Sequence, residues 1–295
     1  MTVSKQGILR RALLVIQLVL LAPILWFLYH LMMPRNYTSK AAEVLPLQLS
    51  SGPFEIHYYA AKHPKGVLIV ATGDGGWSGQ WEEPVALHAA AVGYAVGGWD
   101  CRKFANTRSF DQAKLVEAFN AAVAAVRTRA GLAADCPVWF TGWSTGAEWS
   151  LAAAANPARE KHLVGILAAA PGERSRYGIS KSDLLGVKPD GPGTYALADL
   201  APALRGLRIA QFAGELDPLD DTQWLESLPN GTPHKLVELP GALHGHHVIA
   251  TADVGFADKD LREGGATAGA LHHLAALIGI EGCLDFSERH PLLFK

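Results

Sequence analysis

Short apolar blocks alternate with longer amphipathic or small-residue blocks along most of this chain. Residues 54–60 (FEIHYYA) alternate apolar and polar side chains, the pattern of a half-exposed strand, whereas 66–72 (GVLIVAT) form a continuous apolar run suited to a strand covered on both faces. A helical block at 80–92, a strand at 94–99 and a helical block at about 110–129 follow. An apolar strand then begins at Val138 and leads into the Ala-rich helical stretch after Gly146. Further strands are expected at 163–169, 207–213 and 235–239. Such alternation predicts an α/β fold, a mostly parallel sheet with helices on both faces. The segment 172–200 (GERSRYGISKSDLLGVKPDGPGTYALADL) interrupts it and reads as a cap inserted over the sheet.

The N-terminal pattern is of another kind. Residues 12–33 (ALLVIQLVLLAPILWFLYHLMM) carry no formally charged side chain apart from His30, and as a helix they would span about 33 Å, the thickness of a bilayer core. Lys5, Arg10 and Arg11 precede the run, so the charge bias keeps residues 1–11 cytoplasmic and sends the rest across. A signal peptide cleaved near Ser39-Lys40-Ala41 is the competing reading, but the apolar run is longer than a usual signal core. The expected organisation is a tail at 1–11, a transmembrane anchor at 12–33, a linker at 34–51, the α/β domain at 52–282 and a C-terminal tail at 283–295.

Composition narrows the function. The chain has 295 residues, 49% of them hydrophobic, and removing the N-terminal segment leaves about 250, enough for one large domain. A net charge of -2 without a Lys/Arg block excludes a general nucleic-acid binder.

The candidate chemistry lies at the ends of the predicted strands. Gly142-Trp143-Ser144-Thr145-Gly146 sits between an apolar strand and a small-residue helix, the context of a nucleophile elbow, in which a strained turn lifts the serine hydroxyl above the sheet. Gly73-Asp74-Gly75-Gly76-Trp77 follows the 66–72 strand, where backbone N–H groups near Asp74, together with that of Thr145, would form an oxyanion hole. Glu215-Leu216-Asp217 and Ala242-Leu243-His244 follow the last two strands, completing the chain order Ser144, Asp217, His244. A serine needs an imidazole to take its proton, and the imidazole needs a carboxylate to hold its tautomer. Asp220 and Asp221 compete with Asp217 but read as caps of the next helix; His246 and His247 compete with His244. A metal cluster of the three histidines lacks the accompanying carboxylates of a hydrolytic metal site, so neither metal nor cofactor is expected.

The GDGGW loop, Gly98-Trp99-Asp100 with Phe104 and Thr107-Arg108, and the elbow continued as Ala147-Glu148 together resemble the VirJ/AcvB virulence-protein family of bacterial α/β hydrolases. The resemblance spans about residues 65–280, although that family reads Gly-Tyr-Ser-Phe-Gly-Ala-Asp at the elbow and has a shorter glycine turn before its paired histidines. It implies an α/β-hydrolase fold, export to the periplasm on the inner membrane, and hydrolysis of an aminoacyl-phosphatidylglycerol or similar ester. A non-catalytic role in a secretion or envelope complex is the alternative. Substrate contacts are expected from Trp77, Trp143, Arg174 and Arg176, the arginines with Lys181 facing a phosphate, a solvated basic loop being the alternative for the three. In an exported domain Cys101, Cys136 and Cys283 are able to oxidise; if any bridge forms, the strand directions favour Cys136–Cys283 with Cys101 left free, three separate thiols being the alternative.

Overall fold

The computed structural model describes residues 39–41, 43–77, 82–239 and His244, and, near the N-terminus, residues 17, 21–23 and 25. The chain divides into two units, 1–36 and 37–295. In the first, the described residues Gln17, Leu21, Ala22, Pro23 and Leu25 are helical. The expected anchor at 12–33 lies for the most part outside the described residues, and among those described no helix is long and apolar enough to cross a membrane. The expected tail at 283–295 also lies outside them.

In the second unit, strands β1 (Glu43–Leu49), β2 (Gly52–Tyr59), β3 (Gly66–Ala71), β4 (Tyr94–Trp99), β5 (Val138–Trp143), β6 (Leu163–Ala169), β9 (Arg208–Gly214) and β10 (His234–Leu239) form one sheet in the order β1-β2-β4-β3-β5-β6-β9-β10. From β4 to β10 all neighbours are parallel; β1 and β2 form an antiparallel hairpin on the β4 side. The remaining strands, β7 (Arg174–Arg176) and β8 (Thr194–Ala196), pair as a separate antiparallel ribbon within the predicted cap segment.

The sequence pattern makes 34–51 a linker, yet β1 occupies 43–49 of it. Leu45, Leu47 and Leu49 alternate inward while Val44, Pro46 and Gln48 point out, and Pro46 is tolerated because β1 is an edge strand. Between the strand expected at 94–99 and the helical block expected from about 110, the chain forms a further helix, α2 (Cys101–Thr107), which follows α1 (Glu82–Ala91) in the chain; the Asp100 carboxylate caps α2 by accepting the Lys103 N–H at 2.7 Å.

Both faces of the sheet are covered. Val67, Ile69 and Ala71 of β3 join a core with α3 (Gln112–Ala130) and α4 (Thr145–Ala154), while Leu68 and Val70 join a second core with α1. Fully burying a branched aliphatic side chain contributes about 1.5–3 kcal/mol, so the central strands are set by apolar residues on both faces rather than by alternation. The 19-residue α3 follows the same logic, with Leu115, Phe119, Ala122 and Val126 buried along one stripe, Asp111 capping its start and Gly131 in the left-handed conformation at its end.

Chain order places the site. β3 leads outward to β4, and the chain then returns past β3 to β5, so the connections leaving β3 and β5 part in opposite directions and open a crevice at the carboxyl ends of these strands.

Candidate active site

Ser144 sits at that crevice, between the end of β5 and the first turn of α4. Its φ of 51° and ψ of -123° lie in a region that residues with a side chain avoid, at a cost of about 1–3 kcal/mol. The turn is held because its glycines admit no substitute. A β-carbon on Gly142 would lie 2.3 Å from the Gly146 carbonyl carbon, and one on Gly146 would lie 2.3 Å from the Ala71 oxygen of β3. Ser144 N–H donates to the Ala169 carbonyl of β6 at 2.8 Å. The elbow is thus clamped by both neighbouring strands.

Asp217 lies three residues beyond β9. Its N–H donates to the Gly214 carbonyl at 3.0 Å, and its Oδ1 accepts the Leu219 N–H at 2.9 Å, which orients the carboxylate. Oδ2 lies 2.7 Å from His244 Nδ1, and His244 Nε2 lies 3.0 Å from Ser144 Oγ. The Asp217 side chain is 1% exposed and the imidazole 19%. With the proton on Nδ1 held by the carboxylate, Nε2 is free to accept the serine proton. His246 and His247, the competing bases, lie outside the described residues.

A cavity of about 440 Å³ lies over Ser144. Asp74, Thr145, Glu148 and His244 line it from the sheet, and residues 172–176, 178, 183, 186–189 and 218–221 line it from the cap segment and the acid loop.

No family model and no curated protein matches the chain. Solved structures do. Esterase 2 of Thermogutta terrifontis superposes with a TM-score of 0.55 at 14% identity over 84% of this chain and 98% of its own. A serine hydrolase homologue from Coxiella burnetii gives 0.53 at 16% over 74% and 97%, and the esterase domain of a Rhodothermus marinus protein gives 0.52 at 13% over 79% and 96%. The fold is that of the α/β hydrolases. At these identities the likeness speaks for the fold alone.

Within this α/β-hydrolase fold the residues expected at the site divide into two groups. Ser144, Asp217 and His244 come together, and Asp74 and Thr145 share the cavity wall with Ser144. Arg174 and Arg176 also line it, although each is partly committed to the cap: Arg174 Nη2 donates to Thr194 Oγ1 at 2.9 Å, and Arg176 Nε pairs with Asp183 Oδ1 at 3.3 Å. Trp77 and Trp143 do not contribute to the wall. Trp77 is 2% exposed, its ring stacked on Tyr59 and its indole filling the space left by Gly98, so it belongs to the core under β2 and β4. Trp143 packs 5.2 Å from the His244 ring, lying where a β-carbon on Gly73 would collide with it at 2.7 Å. It thus packs against the imidazole side of the site.

Three carboxyls at the cavity take roles that the sequence reading did not assign them. Burial pushes Glu148 up to about 7, opposed by hydrogen bonds from Ser175 and from the Gly172 N–H at 3.0 Å. Asp220 is also pushed up to about 7, by burial and then by the charge of Asp217. It is no helix cap: Gln211 Nε2 of β9 donates to its Oδ1 at 2.8 Å, while the neighbouring Asp221 Oδ1 accepts the Gln223 N–H at 3.2 Å as the expected cap would. Burial raises Asp74 as well. The sequence signals were a lone acid in the apolar helix TGAEWSLAAA and a lone amide in the strand RIAQFAG.

Cys136 is a free buried thiol next to Arg127, and its expected partner Cys283 lies outside the described residues. Cys101 is free and buried, its N–H bonded to Thr72 Oγ1 at 2.9 Å just beyond the carboxyl end of β3.

Proposed function

We propose that this chain is a serine hydrolase acting on a carboxylic ester. The carrying observation is the hydrogen-bonded run Ser144–His244–Asp217, at 3.0 and 2.7 Å, ending on a strained elbow inside a cavity. Ser144 Oγ attacks the ester carbonyl as His244 Nε2 takes its proton, and Asp217 stabilises the imidazolium. Backbone N–H groups at Asp74 and Thr145 receive the oxyanion. His244 then returns the proton to the leaving alcohol, an acyl-serine remains, and a water activated by the same imidazole releases the acid.

The two charge signs on the cavity wall support a finer reading. Glu148, Asp74 and Asp220 suit an ammonium on the acyl group, and Arg174 with Arg176 suits a phosphate on the alcohol side. An aminoacyl-phosphatidylglycerol carries both, in agreement with the VirJ/AcvB resemblance of the motifs. The uncharged run at 12–33 supports attachment to the bacterial inner membrane with the domain in the periplasm. The test is labelling with a fluorophosphonate probe and hydrolysis of aminoacyl-phosphatidylglycerol in vesicles, each with wild type and Ser144→Ala. Labelling that survives the substitution refutes the nucleophile. Absence of labelling in the wild type favours the non-catalytic envelope role. Hydrolysis of simple esters without a preference for the aminoacyl lipid refutes only the finer reading.

A further inference from the structure

Among the described residues of the α/β domain, large exposed apolar side chains concentrate at one place. Leu185 (65% exposed) and Val187 (54%) belong to the cap segment, and Leu216 (57%) and Leu219 (41%) belong to the loop that carries Asp217. These two loops meet. Gly186, between the first pair, lies against Leu219, since a β-carbon there would stand 3.6 and 3.8 Å from its two methyl carbons. Val187 and Leu219 also line the cavity that holds Ser144, so the apolar surface is continuous with the opening of the site. The other exposed large hydrophobics described in the domain, Val44, Leu87 and Leu236, each stand on a different element. Single exposed leucines are ordinary, whereas several on abutting loops at the mouth of a cavity mark a contact surface.

We propose that this rim docks on a lipid bilayer, so that an esterified headgroup passes from the interface to Ser144 without crossing bulk water. The purpose assigned to the rim rests on the ester-hydrolase reading above. The occupant is argued from the chain itself. Residues 12–33 are 22 in number with no formally charged side chain apart from His30, and only residues 34–38 separate them from Ser39, which bonds Glu83 and Tyr59 of the domain, a reach of about 20 Å at full extension. A domain tethered so closely meets the bilayer at high effective concentration. Near the rim Lys188 pairs with Glu173 and Arg176 with Asp183, and the further charges of these loops, Lys181, Glu215, Asp220 and Asp221, leave no excess of basic residues, so insertion of apolar side chains, not attraction to anionic lipid, is the driving term.

The experiment uses the full chain reconstituted into phosphatidylcholine vesicles, with and without phosphatidylglycerol. An environment-sensitive fluorophore is attached through Leu185→Cys in a Cys283→Ser background, Cys101 and Cys136 being buried. Nitroxide-labelled lipid should quench it in both vesicle types and aqueous iodide should not. Quenching by iodide alone overturns the proposal. So does shielding from both quenchers, which would mean that residues 245–295 or a second copy covers the rim. Leu185→Ser combined with Leu216→Ser, neither of which lines the cavity, should lower turnover of a vesicle-borne ester by at least about tenfold and leave a short soluble ester unchanged within about twofold. An equal effect on both substrates overturns the docking role. A wild type that cleaves neither ester refutes the hydrolase reading, while the quenching still decides the docking.

Discussion

Glu148→Gln should change how stability depends on pH, and the size of the change follows from where the carboxyl sits. Glu148 is buried on α4, accepts the Gly172 N–H and is pushed from its ordinary 4.5 up to about 7, chiefly by burial. Between those values the folded chain keeps a proton that the unfolded chain releases. The corresponding stability is fully present below about pH 4.5, is lost as pH rises through about 7, and changes little beyond. At 1.36 kcal/mol per pH unit the loss amounts to about 3 kcal/mol. Glutamine keeps an acceptor for Gly172 and has no proton to lose. Urea denaturation of full-length wild type and variant from pH 4.5 to 8.5 should therefore show the variant gaining about 3 kcal/mol on the wild type as pH rises. Asp220, pushed up into the same range, is present in both proteins and cancels in the difference. A wild-type-minus-variant difference that does not move with pH would refute the reasoning.

Further outcomes are open to direct measurement. Asp217→Asn should lower kcat/KM on an ester by about 10⁴-fold with the fold intact, because the amide no longer holds the proton on His244 Nδ1; a loss below tenfold would place the acid elsewhere. Gly146→Ala should destabilise by at least about 3 kcal/mol, its β-carbon being 2.3 Å from a backbone oxygen that cannot move aside, and an unchanged thermal midpoint would contradict that contact. A chain beginning at Tyr37 should keep the stability of the domain, whereas one beginning at Ala41 should lose some, because Ser39 bonds Glu83 at 2.9 Å and Tyr59 at 2.6 Å; equal thermal midpoints would refute this.

Legibility of the site followed the locality of its physics. The elbow could be read from the chain because strand, two glycines, serine and helix are consecutive, and the steric need for Gly142 arises within a few residues, whereas that for Gly146 comes from Ala71 of β3. Asp217 and His244 were readable as candidates because each follows a strand in an α/β alternation, and such chain ends gather at one edge of a parallel sheet. Their choice over neighbouring acids depended on side-chain direction. Asp220 differs from Asp217 by three residues, yet the amide of Gln211 on β9 pins it while Asp217 reaches the imidazole.

By itself the amino-acid sequence determined the period of each element, the continuous apolar runs that bury β3 and β4 on both faces, and the elbow motif around Ser144, since all of these are set by neighbours along the chain. Only the tertiary structure decided that Trp143 packs against the His244 ring, that Trp77 is core, that 43–49 joins the sheet, and that Glu148 sits buried in the cavity wall. Each of those depends on a partner far along the chain, and a residue's burial and electrostatic setting do not exist until that partner arrives.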